Sequence, residues 1–118
     1  EEAALIDDKD LLAYARFSSR YRWQLRELVC EEVIAEHRAR PVGQHSPELE
    51  RLLNYFRKGQ LAEKYALMTI EPFSTYRIVA LSGIRGIPPR DVDEKIYQSL
   101  DGAYHAVFLR RIHDLMES

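Results

Sequence analysis

Apolar residues recur along this chain at steps of three and four. That rhythm is interrupted once, by two short runs in which they crowd together. In "HSPELERLLNYFR", residues 45–57, Leu49, Leu52, Leu53 and Phe56 keep the i, i+3, i+4, i+7 spacing of one helical face. Ser46 suits the N-cap, Pro47 the first helical position and Gly59 the C-terminal glycine. The spacing predicts a helix over 46–57. Leu25, Leu28, Val29, Val33 and Ile34 form a second stripe, within a longer helix that Ser19 can cap and that runs to about Ala39. His37, Arg38 and Arg40 suit its C-terminal end, and Pro41 stops it. Upstream, Asp7 or Asp8 can cap a short helix to about Phe17, with Leu11, Leu12 and Ala15 on one side. One kinked helix over 8–39 is the alternative, and residues 1–6 are expected to fray. A last helix from about Asp101 to Glu117 puts Tyr104, Val107, Phe108, Ile112 and Leu115 on its apolar side.

The crowded runs are Tyr65–Ile70 and Tyr76–Leu81, rich in β-branched and aromatic residues and separated by the Pro-containing stretch Glu71 to Thr75. They predict a β-hairpin. An isolated hairpin is marginal, so it must pack on the helices or on another chain. "GIRGIPP" reads as a loop, and Asp91 with Glu94 three residues on reads as a capping box for a short helix. The fold class is mainly α: a single small helical domain over 1–118 with a short β-hairpin at about 65–81.

Composition narrows the classes. The chain is 46% hydrophobic and 31% charged with a net charge of −2, so no global field attracts nucleic acid or an anionic membrane. No apolar run approaches the roughly 20 residues of a membrane span. The acidic start, Glu1-Glu2, is unlike a signal peptide. Cys30, the single cysteine, sits in an apolar helical pattern with no partner for an internal disulfide, which suits a reducing cytoplasm. Thirteen arginines against four lysines favour bidentate pairing and interface use.

Catalytic patterns are missing. His37, His45, His105 and His113 form no HxxxH pair, and no HxxE pair on one helical face. His105 and His113 lie two turns apart, about 12 Å along a helix, too far to share a metal. There is no GxSxG, Walker loop, Rossmann glycine pattern or CxxC. The GxxG of "SGIRGIPP" is more simply a loop than an RNA-binding element. "RFSSRYRWQLR", residues 16–26, interleaves Arg16, Arg20, Arg22 and Arg26 with Tyr21 and Trp23 and has no acid. That mixture suits single-stranded nucleic acid. The chain's net acidity instead favours pairing with carboxylates, its own or a partner's. Twelve aromatic residues are more than one small core requires. Trp23, Tyr55, Tyr65, Phe73 and Tyr76 are therefore candidate anchors for a protein interface.

"HRARPVG" at 37–43, "HSPELERLLNYFR" at 45–57, "KY" at 64–65, "YRI" at 76–78 and "HAVFLRRIHD" at 105–114 occur in one order. In these blocks, over roughly residues 30–116, the chain resembles the small (alpha) subunit family of N,N-dimethylformamidase. The resemblance implies a complex with a large catalytic subunit, two or more of each chain. That complex hydrolyses dimethylformamide to dimethylamine and formate. It also implies a mononuclear iron on the large subunit, held by tyrosines and a glutamate, where the metal polarises the amide carbonyl and activates water. No catalytic, cofactor-binding or metal-binding role transfers to this chain. Interface candidacy transfers to His45, Asn54, Tyr55, Arg57, Tyr65, Tyr76, Arg77, His105, Arg110 and Arg111, with Tyr55 and Arg57 expected to face the large subunit. "GIRGIPPRD" and "QSLDG" look individual to this chain, so the substrate could differ. The expected function is an accessory subunit that stabilises the catalytic one. The alternatives are a stand-alone module that holds single-stranded nucleic acid with residues 16–26, and a plain helical homodimer.

Overall fold

A computed structural model describes residues 20–58 and 64–117. Helical residues 20–28 (α1) lead to α2 (Glu31–Ala39) and α3 (Pro47–Arg57). Strands β1 (Tyr65–Glu71), β2 (Thr75–Ala80) and β3 (Arg90–Asp91) follow, and α4 (Leu100–Glu117) closes the chain. The mainly helical architecture with a short hairpin is as the apolar pattern predicts. The expected helix ending near Phe17 and the Gly59 cap lie outside the described residues.

The expected unbroken helix over 19–39 is corrected. It breaks at Val29-Cys30, where Val29 N–H turns back to the Arg26 carbonyl at 3.1 Å and Cys30 is extended, with φ −153° and ψ 171°. Cys30 is therefore an exposed residue at the start of α2, not a member of an apolar helical stripe. Its side chain supplies no capping hydrogen bond. Glu31 and Glu32 occupy the first turn that follows, where carboxylates offset the exposed N–H groups and the helix dipole.

Helix α3 forms as its residues dictate. Ser46 Oγ accepts from Leu49 N–H at 3.3 Å, Pro47 opens the helix, and Leu49, Leu52, Leu53 and Phe56 are all buried. Glu36 of α2 fixes where this helix begins. Its carboxylate accepts from Ser46 N–H and Ser46 Oγ–H, each at 2.7 Å, and these bonds hold its pKa below the usual range.

The sheet is antiparallel in the order β1-β2-β3. Leu67 pairs with Ile78 and Thr69 with Tyr76, and a bulge separates Thr69 from Glu71. The short helix expected after Asp91 is also corrected. Arg90–Asp91 pairs with Val79–Ala80, and Tyr97 bridges Tyr76 by two backbone hydrogen bonds of 2.8 Å. The open edge of β2 claims this backbone, and a ladder bond outweighs a marginal isolated helix turn. Ser99 precedes helix α4 and caps it, its Oγ accepting from Gly102 N–H at 3.0 Å.

Helix α4 sits between two partners, packing on α2 on one side and on β1 and β2 on the other. Its Phe108, Ile112 and Leu115 join Leu25, Val33 and the α3 face in one core. Its Ala103 and Val107, and Ile78 and Ala80 of β2, are buried outside that cluster. Tyr104, expected on the apolar side, is 40% exposed. Among the described residues no helix is long and apolar enough to cross a membrane.

Candidate functional site

A cleft of about 290 Å³ opens where α2, the loop after it, α3, β1 and α4 converge. Leu53, Val107 and Phe108 give it an apolar wall, and Val42 lies at the exposed end of the loop. Its polar side chains are His37, His45, Arg57, Tyr65, Tyr104 and Arg111, and among the described residues no aspartate or glutamate lines it. The chain as a whole is net acidic, so this cationic lining is a local property of the fold.

The tertiary fold brings His37 and His105 together across 68 residues of chain, with their Nδ1 atoms 2.9 Å apart. The His37 ring also stacks on Phe108, with centroids 4.0 Å apart and planes at 10°. At 2.9 Å only one Nδ1 can carry a proton. His105 Nε2 is buried without a partner. A buried N–H without an acceptor costs more than a bare ring nitrogen without a donor. The favoured tautomers therefore have His105 Nδ1–H donating to His37 Nδ1, and His37 carrying its own proton on Nε2. Burial, reinforced by His105 and His45, pushes the His37 pKa down to about 4. Burial and then the Arg38 charge lower that of His105. The pair is thus neutral near pH 7.

Across the cleft, Arg111 NH2 reaches only the Tyr65 carbonyl, at 3.5 Å, and has no carboxylate partner among the described residues. Burial lowers the pKa of its guanidinium; Tyr65 opposes that shift and the Arg57 cation adds to it. Arg57 donates to Asn54 Oδ1 at 3.0 Å and also has no acidic partner. The Tyr65 hydroxyl donates to Asp114 Oδ2 at 2.5 Å, and burial together with that bond pushes its pKa up to about 12. It keeps its proton and is no nucleophile. Among the described residues no group of three or more His, Cys, Asp and Glu is placed to hold a metal. The cleft's guanidiniums and proton-bearing nitrogen do not fit an iron site.

The residues singled out from sequence separate into three groups. His45, Arg57, Tyr65 and Arg111 meet at the cleft, and His105 lies behind it. His45 also ties the loop down, with Nε2 2.6 Å from the Arg40 carbonyl and Nδ1 3.3 Å from Glu50 Oε1. Others are engaged within the chain. Tyr76 is buried, and half-buried Tyr55 packs edge-on against Tyr21. Arg77 pairs with Asp91 at 3.1 Å, and Arg110 pairs with Asp93. In the 16–26 segment Arg26 Nε donates to the Leu115 carbonyl at 2.8 Å, so one of its arginines braces α4. The third group is exposed: Asn54 on α3 and Trp23, 61% exposed. Sequence reasoning missed His37 as a cleft residue, because its partners lie on α4 and no local spacing encodes them.

Phe73 stands apart from the cleft. It is 97% exposed at the hairpin tip, with φ 62°. Pro72 precedes it, and Ser74 N–H bonds to the Glu71 carbonyl at 3.1 Å, the pattern of a type II turn. That turn favours Gly or Asn at the position Phe73 occupies. Met68 and Ile70 on β1 are also exposed, at 42% and 43%.

The family model for the N,N-dimethylformamidase alpha subunit matches residues 12–118. The N,N-dimethylformamidase alpha subunit of Alcaligenes sp is 33% identical over 107 residues, covering 86% of this chain and 80% of that protein. The protein of the same name from Paracoccus aminophilus is 34% identical over 107 residues, covering 86% and 74%. With its blocks in order along a mainly helical chain, and a family match over nearly its whole length, this protein belongs to the N,N-dimethylformamidase alpha subunit family.

Proposed function

We propose that this chain is the small, non-catalytic subunit of an amidohydrolase that cleaves dimethylformamide, or a related small amide, to an amine and formate. It packs against a large catalytic subunit and stabilises it, two or more copies of each forming the enzyme in the cytoplasm. Iron, as the family resemblance implies, would be held by the large subunit; that is in keeping with the described residues, none of which form a cluster placed to hold a metal. The observation that carries the reading is Phe73. A large aromatic ring is held in water, at a backbone position that disfavours it, beside two more exposed apolar residues. Nothing among the described residues explains that arrangement, whereas insertion into an apolar pocket of a partner does. Trp23 extends the exposed apolar inventory. The test is co-expression with the large subunit. A stable complex should form and release formate from dimethylformamide, and the small chain alone should release none. Phe73→Ser should weaken co-purification while leaving the small chain folded. Full hydrolysis by the small chain alone would overturn the proposal.

A further inference from the structure

We propose that the cleft between α2, α3, β1 and α4 is a binding site for a carboxylate on a short apolar stem, clamped by Arg111 and Arg57 and met by His37 Nε2–H. The inference stands on this chain's own geometry and does not depend on the subunit reading. Three observations converge on it. Among the described residues the cleft contains two arginines and two histidines and no acid, in a chain whose acids outnumber its lysines and arginines by 19 to 17. Arg111 is half-buried and meets no anion among the described residues. Such a charge is costly to hold out of water unless something of opposite sign fills the space. The favoured tautomers of the His37–His105 pair also leave His37 Nε2 a donor on a ring that lines the cleft.

The same lining selects among anions. A guanidinium fork matches the two oxygens of a carboxylate. Leu53, Val107 and Phe108 ask for an apolar stem behind the charge, which a bare phosphate or sulfate lacks. Two sources supply this chemistry: a free small carboxylate, or an acidic side chain of another subunit entering the cleft.

The test is equilibrium dialysis of the full chain against radiolabelled butyrate, with butanamide as the uncharged isostere and ionic strength held constant. Butyrate should bind saturably and butanamide should not. Arg111→Gln should weaken butyrate binding roughly ten-fold or more, and Arg57→Gln by a smaller factor. Arg57 is exposed, so the second variant keeps the test decisive if Arg111→Gln fails to fold. Equal binding of the two probes, or binding indifferent to both variants, overturns the proposal. Repeating the dialysis on the complex with the large subunit separates the sources. Retained butyrate binding assigns a free ligand. Exclusion of butyrate, together with weaker assembly by Arg111→Gln, assigns the partner's carboxylate. If no large subunit associates with this chain, the subunit reading fails while the dialysis on the isolated chain still decides this one.

Discussion

The helical side and the sheet side of this molecule use the same apolar residue types to opposite ends. On the helical side Leu25, Leu49 and Leu52 are fully buried, and Phe56 and Phe108 meet edge to face with centroids 6.1 Å apart. On the sheet side the inner face of β2 is buried, but β1 leaves Met68 and Ile70 exposed and the turn leaves Phe73 almost wholly in water. Two helices can present apolar stripes to each other, and α4 gives α2 and α3 such a stripe. A three-stranded sheet with one helix against it has a second face, and the described residues supply no element that covers it. The cleft lies along the boundary between the two regions, with the helical core behind it and β1 at its rim.

Three substitutions would break or sharpen that contrast. The largest effect is expected on the helical side. Leu52→Ala removes a fully buried side chain and should cost about 3–5 kcal/mol, read as a lowered urea midpoint. A loss below about 1 kcal/mol would mean that the helices do not close the core as described.

The boundary should respond to pH. The folded-state pKa of His37 is depressed to about 4 from an ordinary value of 6.5. Between those values the unfolded chain binds the extra proton, so stability is full above about pH 6.5 and falls as the pH drops towards 4. The loss is on the order of 2–3 kcal/mol. His105 shifts in the same direction. Urea midpoints at several pH values should show this slope, and His37→Gln should flatten it.

The smallest change in stability is expected at the open end. Phe73→Gly replaces an aromatic in the left-handed region with the residue that turn prefers, and should stabilise the isolated chain by about 1 kcal/mol. The same change should weaken association with the large subunit. A stability loss on Phe73→Gly would show that the ring packs within the chain after all.

Helix α3 was legible almost residue by residue, because its cap, its opening proline and its buried face are all local. The hairpin was legible from β-branched and aromatic content, with boundaries within a residue of those observed. The break at Val29-Cys30 was not. Cys30 offers no side-chain cap, and the apolar stripe runs unbroken across it. The acidic pair Glu31-Glu32 was the one local hint. Arg90–Asp91 resembled a helix start because a capping box needs only two residues. As a strand it is defined by an edge of β2 that the local sequence does not contain. Of the candidate site, His45, Arg57, Tyr65 and Arg111 came from the block resemblance and Tyr65 also from the aromatic excess, whereas His37 stands in a matched block without being singled out.

The sequence by itself determined the hairpin, helix α3 with the face it buries, most of the buried face of α4, and the family, since these rest on local spacing or on matched blocks. Only the tertiary structure decided that Arg57 and Arg111 share a cleft with no acid among the described residues, that one proton lies between His37 and His105, and that Phe73 stands in water. Those are relations between side chains on different elements. Their physical content, which is burial, charge proximity and the lack of a covering surface, exists only once the elements are packed.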